Sequence, residues 1–341
     1  MHNKALVAVI ILNWNDADLL PSSLGSILKQ SMECDIVVVD NGSEDGSRAV
    51  IEGFGNKVTP LWNSKNLGFA GGVNTGIKYA IDQEYEYIAL LNNDAVADKD
   101  WIKNLYEVCK SNKTIGATTS SMIHTKTHTY DSTGDFMTIW GLAYPRGRGE
   151  KAEGQYDGAI DVMGASGGAS MFRASMFKDI GLFDEDFFAY YEDIDIGLRA
   201  HTRGWKFKFV PEAKVLHATG TTSGRVKNFG TYQGLKNQPL VIIKNIPFSI
   251  LWRMAPRFIL AHTLFNLRAL SRGQFTTVFR TWLVLFWLIP KKLVERIGIQ
   301  HRRVPTATKN IYELLVFDLP HNATALRKFR SLIRKVFPKF V

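Results

Sequence analysis

The chain has 341 residues, of which 45% are hydrophobic and 22% charged, so a large buried core is possible and wholesale disorder is excluded. Two cysteines in this length exclude a disulfide scaffold and indicate a reducing compartment. The net charge of +10 is unevenly distributed. Residues 1–235 carry 23 Lys or Arg against 29 Asp or Glu, whereas residues 236–341 carry 19 against 3. The sequence therefore predicts an acidic domain over 1–235 and a separate, strongly basic part over 236–341.

Hydrophobic runs alternate with helical patterns in the first hundred residues. Leu6–Leu12, Asp35–Asp40, Val58–Trp62 and Tyr87–Leu91 read as strands, and most of them are continuous β-branched or aliphatic runs that suit a sheet buried on both faces. Helical patterns separate them at residues 19–30, 43–54 and 71–83. This alternation predicts an α/β fold with a doubly wound, mostly parallel sheet.

Polar residues directly follow three of these predicted strands, at Asn13–Asn15, Asp40–Ser43 and Asn92–Asp94. One such junction would be ordinary turn chemistry. In open α/β sheets, however, ligands bind at the carboxyl ends of the strands, so three junctions in succession predict a binding site at this edge.

Glycines are concentrated between Asn66 and Gly76, where a helix is predicted to begin. Such a stretch lets the backbone approach a ligand closely, and a helix N-terminus favours phosphate. The spacing fits neither the dinucleotide fingerprint nor the P-loop, which disfavours a nicotinamide dehydrogenase and a P-loop nucleotidase. A helix start that merely needs glycine remains the alternative.

The middle of the chain is harder to assign from its pattern. After a helix over 100–111, residues 120–161 are polar, rich in glycine and weakly periodic, and part of this region is predicted to be loop or edge strand covering the site. The small-residue segment Gly164–Ser170 follows. A helix is predicted at about 194–203, and the alternation of 205–210 predicts a strand.

Six carboxylates fall within residues 184–195, among phenylalanines and tyrosines. Carboxylates held against aromatic walls lose solvation, which raises their pKa toward the range useful for a general base. We hypothesise that Asp193 is that base. The alternative is a helix N-terminus that favours acidic residues, and Asp195 with Arg199 is predicted to form a structural ion pair one turn apart.

Five motifs in order give the chain a family resemblance over about residues 5–225. They are Asp40–Ser47, Asn66–Gly76, Leu90–Asp94, Phe183–Phe188 and Glu192–Asp195. Together they resemble the family 2 glycosyltransferases of the GT-A fold, especially the bacterial rhamnosyltransferase-like branch.

The resemblance implies a role for particular residues. Asp94 and His217 would hold a divalent cation, Mg²⁺ or Mn²⁺, although Asn92 replaces the first aspartate of the family's D-x-D motif. Asp193 would be the catalytic base. Glu192, Gly167 and Tyr191 would lie on the acceptor side. The implied donor-binding residues are Asn13, Asp40, Asn41, Asn66, Gly68, Asn74, Asn92 and Asn93.

The resemblance also implies an activity, the inverting transfer of a sugar, with dTDP-L-rhamnose as the expected donor. A UDP-sugar is the alternative donor. A nucleotidyltransferase of the same fold is disfavoured, because residues 13–20 are not a basic, Gly-rich loop. A non-catalytic protein that binds sugar nucleotides at a membrane stays open.

The basic part predicts a contact with an anionic surface. Helices are expected over 246–271, 275–294 and 322–340, and the last has apolar and basic faces. Binding to the inner face of the cell membrane is therefore expected for a cytoplasmic, peripheral protein without a secretory signal pattern. Docking of these helices on the catalytic domain is the alternative. No nucleic-acid motif accompanies the charge. The acceptor would be a glycan or a polyprenyl-diphosphate-linked saccharide, and homodimer formation is left open.

Overall fold

A ten-stranded sheet and a helical C-terminal part make up the computed structural model, which describes residues 5–218 and 226–318. A smaller three-stranded sheet lies beside them. The strands are β1 (Val7–Asn13), β2 (Asp35–Asp40), β3 (Thr59–Trp62), β4 (Tyr87–Asn92), β5 (Ala95–Ala97), β6 (Ile115–His124), β7 (Tyr130–Ser132), β8 (Asp135–Thr138), β9 (Ala143–Pro145), β10 (Asp161–Val162), β11 (Ala169–Arg173), β12 (Lys206–His217) and β13 (Leu315–Val316). The helices are α1 (Leu20–Ile27), α2 (Ser47–Gly53), α3 (Gly68–Asp82), α4 (Trp101–Ser111), α5 (Ala174–Ile180), α6 (Glu192–Thr202), α7 (Phe229–Asn245), α8 (Phe248–Ser271), α9 (Phe275–His301) and α10 (Ala307–Leu314).

The first half of the large sheet is parallel throughout. β1 lies between β2 and β4, and β2 pairs with β3, all in parallel register. Alternate residues of β1 enter two hydrophobic clusters. Val7, Val9 and Ile11 pack with α1 and α4, whereas Ala8 and Ile10 pack with α3. Burial on both faces explains the continuous apolar runs in the sequence, because neither side of these strands meets water.

The other half of the sheet mixes directions. β11 is antiparallel to both β4 and β6, while β6 and β12 are parallel. The main path runs β10–β12–β6–β11–β4–β1–β2–β3. The predicted α/β class with a mainly parallel sheet is confirmed. The antiparallel pairs of the large sheet all involve β11 or the strands on the far side of β11 from β4.

β6 shows where local pattern misled. The region that begins at Ser120 was predicted to be loop or edge strand in part, and its first residues instead belong to β6, in the interior of the sheet. Two of its buried hydroxyl residues have partners in α4: Trp101 Nε1 donates to Ser120 Oγ over 2.7 Å, and Thr118 Oγ1 donates to the Leu105 carbonyl. A polar strand can therefore lie in a core.

The C-terminal helices pack on the sheet-bearing part. A single buried cluster joins Phe187 and Leu198 to Leu240 and Val241 of α7 and Leu285 of α9. The boundary predicted at 235 falls inside α7. Helix α8 matches the prediction over 246–271 to within two residues, whereas α9 begins where predicted but continues past residue 294 to His301. The segment 322–340 lies outside the described residues. Within 5–218 and 226–318, a search for a helix long and apolar enough to cross a membrane found none.

Candidate active site

A cleft of about 1450 Å³ opens at the carboxyl ends of β1 and β4. This is the edge at which the sequence predicted a binding site, and loops from β11 to α7 form the opposite wall. Most of the predicted site residues meet there. Those lining the cleft are Asn41, Asn66, Gly68, Asn92, Asn93, Asp94, Gly167, Tyr191, Glu192, Asp193 and His217.

Three predicted donor-binding residues do not line the cleft. Asn13 is fully buried, donates to Asp40 Oδ1 and accepts a hydrogen bond from Asn93. Asp40 also accepts from the backbone of Ser43. Asn74 binds both backbone polar groups of Phe183, over 2.8 and 3.1 Å. The three residues lie behind the wall of the cleft. Their side chains form hydrogen bonds with other protein groups, and these bonds fix the position of the wall.

Asn41 organises the glycine-rich loop. Its side-chain amide donates to Asn66 Oδ1 and to the Gly68 carbonyl, and its Oδ1 accepts from the Leu67 backbone. Gly68 has a φ of +74°, and a Cβ there would lie 2.5 Å from the Phe188 carbonyl oxygen. Glycine is needed at this position both for its backbone angle and for the close approach of the loop that contains Phe188.

Asp94 and His217 form a candidate metal centre. His217 Nε2 lies 3.0 Å from Asp94 Oδ1, and His217 Nδ1 lies 2.9 Å from Asp131 Oδ2. Burial opposes protonation of the ring, but the hydrogen bonds to Asp131 and Asp94 raise the pKa of His217 to about 9. Asn92 Nδ2 is 3.2 Å from Nε2.

These residues fit a divalent cation. A carboxylate oxygen and an imidazole nitrogen converge on one point, where a cation would take the place of the Nε2 proton. Asp131 on the other ring nitrogen supplies the carboxylate that commonly orients a metal-binding histidine.

The loop before α6 is strained. Phe188, Tyr190 and Tyr191 all have positive φ, at 65°, 67° and 72°, which non-glycine residues seldom adopt. Asn237 of α7 offsets this strain, since its Nδ2 donates to the carbonyls of residues 187, 189 and 190 over 2.7–2.9 Å. Lys236 Nζ donates to the carbonyls of residues 186 and 187. Strain of this kind concentrates at functional sites.

The strained loop delivers Glu192 and Asp193 to the cleft at the first turn of α6. Asp193 Oδ1 accepts a hydrogen bond from the backbone of Ile194. Burial raises the pKa of Asp193, whereas a hydrogen bond from Asp135 acts the other way. Burial and the neighbouring Asp193 raise the pKa of Glu192. Glu192 Oε2 is buried without a hydrogen-bond partner among the described residues. The site therefore holds several carboxyl groups in low-dielectric surroundings.

A second carboxylate cluster is filled by an ammonium group. Asp184, Asp186 and Glu295 lie close enough together to hold an ion. The fully buried Lys292 Nζ contacts all three, at 2.7 Å from Asp186 Oδ2 and 3.0 Å from Glu295 Oε1. Lys244 Nζ also binds Asp184, at 2.6 Å. This cluster is therefore an ion-pair network between the 183–187 turn and the C-terminal helices.

The structural ion pair predicted between Asp195 and Arg199 is confirmed. The guanidinium lies 2.8 Å from Asp195 Oδ2, and both side chains are buried. Lys244 also reaches Asp195 Oδ1 at 2.8 Å, which links this pair to the network around Asp184.

Sequence reasoning missed Asp131, Asp135 and Asn237. The two aspartates lie in the region read as loop, where nothing local distinguished them. Asn237 did carry a signal, because it lies four residues after Gln233 and therefore on the same side of a helix. Uncharged amides at that spacing predict a buried polar face with specific partners.

Solved structures with a similar fold are glycosyltransferases. A mannosyltransferase from Pyrobaculum calidifontis, in complex with GDP-Man and Mn²⁺, has a TM-score of 0.53 at 16% identity and covers 92% of this chain and 88% of its own. GalNAc-T7 with UDP, GalNAc and Mn²⁺ has a TM-score of 0.54 at 17% identity and covers 72% and 48%. At these identities the likeness concerns the fold.

Sequence comparison gives the family. A poly-beta-1,6-N-acetyl-D-glucosamine synthase of Staphylococcus epidermidis is 28% identical over 215 residues, or 61% of this chain and 48% of that protein. The chain thus spans about half the length of the curated relatives it matches. The model of the family "Glycosyl transferase family 2" matches residues 8–181, which is half of the chain. The chain therefore belongs to glycosyl transferase family 2.

Proposed function

We propose that this chain transfers a sugar from a nucleoside-diphosphate donor to a hydroxyl of a lipid-linked or polysaccharide acceptor, with inversion at the anomeric carbon. The observation that carries the proposal is that one cleft contains both a half-buried Asp193 and the Asp94–His217 pair. The first suits a base for the acceptor, and the second suits a cation for the leaving group.

The leaving nucleoside diphosphate carries negative charge that needs compensation. Asp94 and His217 would hold Mg²⁺ or Mn²⁺, with Asp131 orienting the imidazole. Such a cation supplies Lewis-acid stabilisation of the departing diphosphate. The structures of GalNAc-T7 and of the Pyrobaculum calidifontis mannosyltransferase are complexes with Mn²⁺, which supports this assignment.

Asp193 would act on the acceptor. Its carboxylate accepts the hydroxyl proton while the acceptor oxygen bonds to the anomeric carbon and the bond from that carbon to the diphosphate breaks. A single displacement inverts the configuration and needs no covalent intermediate. Glu192, Gly167 and Tyr191 line the same cleft and would contact the acceptor.

Two nucleotide sugars are candidates for the donor. dTDP-L-rhamnose is the proposal that the motif resemblance favours. A UDP-sugar is the second candidate, because the similar S. epidermidis protein is named as a synthase of poly-N-acetylglucosamine. Thermal-shift measurements with each nucleotide sugar, with and without Mn²⁺, separate them. The true donor should raise the melting temperature only when the cation is present.

The basic residues beyond 235 support a location at the inner face of the cell membrane, where a polyprenyl-diphosphate-linked saccharide would be the acceptor. Residues 236–341 carry 19 Lys or Arg against 3 acidic residues. Both the lipid headgroups and the diphosphate of such an acceptor are negatively charged, so one basic region suits both.

Substitution of Asp193 by Asn tests the base. Transfer should fall by about 100- to 10,000-fold, the usual contribution of a general base, while the nucleotide sugar still binds. Replacement of the exposed Asp157 by Asn is the matched control and should change neither measurement. Unchanged transfer by Asp193→Asn would refute the base assignment. Nucleotide binding without any transfer by the natural chain would favour a non-catalytic scaffold.

A further inference from the structure

Exposed apolar side chains are concentrated on two helices of the C-terminal part. Among the described residues, 23 large hydrophobic side chains are exposed, and 14 of them belong to α8 and α9. Soluble surfaces carry such residues singly, and clusters of them mark interaction sites.

On α9 these side chains form one stripe. Phe275, Phe279, Phe286, Leu293 and Ile297 follow at intervals of four and seven residues, which puts them on one side of a helix. Phe279 and Phe286 are 66% and 71% exposed. The opposite side of α9 is docked on the protein through buried residues that include Lys292, so this stripe faces outward along the whole helix.

α8 carries a matching stripe of Phe248, Trp252, Ile259 and Leu267. Trp282 joins the two helices, because its indole donates to Asn266 Oδ1 over 3.2 Å and its ring meets His262, both on α8. Trp282 itself is half exposed. Hereafter, the outward face means the exposed hydrophobic residues of α8 and α9.

The charge around the outward face has one sign. Residues 248–303 contain ten Lys or Arg and a single acidic residue, Glu295. Arg253 and Arg268 are exposed on α8, and Glu295 is paired with Lys292. An aromatic and aliphatic face bordered by cations is the pattern of helices that lie in the headgroup region of an anionic bilayer. Trp252, Trp282 and Trp287 suit that boundary.

We propose that the outward face of α8 and α9 inserts into the surface of an anionic lipid leaflet. The helices would lie in the plane of the membrane, since their inner sides stay packed on the protein. This proposal refines the membrane location that the proposed function includes, and it stands on separate residues from the catalytic ones.

The outward face adjoins the cleft. One side of α9 lines the cleft through Thr276, Thr277 and Arg280. The adjacent side of the helix carries the exposed Phe275 and Phe279. An acceptor anchored by a lipid tail could therefore reach Asp193 while its tail remains in the leaflet, with the Arg280 guanidinium available to its phosphates.

Vesicle sedimentation of the full chain tests the insertion. Phe279→Ser with Phe286→Ser should lower the partition coefficient on phosphatidylglycerol-containing vesicles by roughly 100-fold, because two phenylalanines lose their burial in lipid. The matched control is Leu6→Ser with Leu28→Ser, two residues that are exposed on the catalytic part and should leave partitioning unchanged. Equal loss in both variants, or no binding by the natural chain, would overturn the proposal.

A second pair of variants tests the charge. Arg253→Gln with Arg268→Gln should weaken binding to anionic vesicles and reduce its salt dependence, whereas Lys103→Gln with Lys113→Gln should not. Equal binding to phosphatidylcholine vesicles and to anionic ones would contradict the electrostatic part of the proposal.

Two more measurements keep the alternatives apart. If light scattering shows a dimer that Phe279→Ser with Phe286→Ser converts to a monomer, and neither form binds vesicles, the outward face joins two copies of the chain and the proposal fails. The nucleotide-sugar thermal shift should be the same in all these variants. A failure of membrane binding with an intact thermal shift would thus leave the proposed transferase function standing.

Discussion

Asp193 lies beside a second carboxyl group, Asp135. Both lie in the cleft wall, and each carboxyl group shifts the pKa of the other. Two adjacent carboxyl groups form a hydrogen bond only if one of them keeps a proton. Burial and the adjacent Asp193 raise the pKa of Asp135 well above its usual range, which makes Asp135 the protonated member. Asp135 would then be a positioning residue that keeps Asp193 ionised and able to act as a base.

Replacing Asp135 tests this pairing through pH dependence. In Asp135→Ala, Asp193 loses a donor that lowers its pKa, while burial still raises it. The acid limb of kcat/KM against pH should therefore move to higher pH. Asp135→Asn retains an N–H donor, so its acid limb should stay near that of the natural chain. A limb that does not move in Asp135→Ala would show that Asp135 does not act on the base, whereas a purely structural loss would lower the profile without shifting it.

At the scale of elements, α7 determines the shape of the loop that precedes Asp193, the proposed base. The side-chain amide of Asn237 donates hydrogen bonds to three carbonyls of residues 187–190, the stretch with positive φ at Phe188 and Tyr190. Those hydrogen bonds offset the strain in the backbone of the loop, and without them the loop should relax. The C-terminal part therefore contributes to the geometry of the proposed active site even though its sequence resembles no catalytic motif.

Asn237→Ala should lower kcat more than donor affinity. Loss of the three hydrogen bonds should destabilise the chain by about 1–3 kcal/mol and let the Glu192–Asp193 turn relax away from the acceptor. Asn266→Ala is the matched control, since Asn266 is a buried asparagine on α8 that bonds Trp282 and His262. Urea unfolding should show a similar destabilisation in both variants, but only Asn237→Ala should reduce kcat. A reduction of equal size in both would assign Asn237 a structural role alone.

The sequence could predict the elements whose signal is local. The strands β1, β2 and β4 were predicted to within a residue or two because both of their faces are buried, and the polar junctions after them led to the cleft. β6 could not be predicted, because Ser120 and Thr118 depend on partners in α4 for their hydrogen bonds. Likewise the bonds of Asn237 reach 47–50 residues back along the chain, a separation at which no pattern in one sequence reveals a contact.

At the scale of the molecule, Lys292 joins the two parts. Its ammonium group on α9 is fully buried against Asp184 and Asp186 in the turn before α6. Burial alone would raise the pKa of Asp184, but the nearby Lys244 and Lys292 lower it. Because this network and one hydrophobic cluster both span residue 235, we expect the two parts to unfold together.

Lys292→Met should destabilise the chain by roughly 3–5 kcal/mol near neutral pH, because it leaves buried carboxylates without their cation. A lowered folded-state pKa gives stability that is present above the unfolded value, about 3.9 for aspartate, and is lost as the pH falls through the folded value. The natural chain should therefore lose this contribution on acidification. The variant never has it, so the difference between them in urea unfolding should shrink as the pH falls below about 4. Lys291→Met is the matched control: Lys291 also binds Asp186, at 2.6 Å, but is 56% exposed, so its loss should cost at most about 1 kcal/mol at either pH. A Lys292 variant as stable as the Lys291 variant would show that the network does not hold the two parts together.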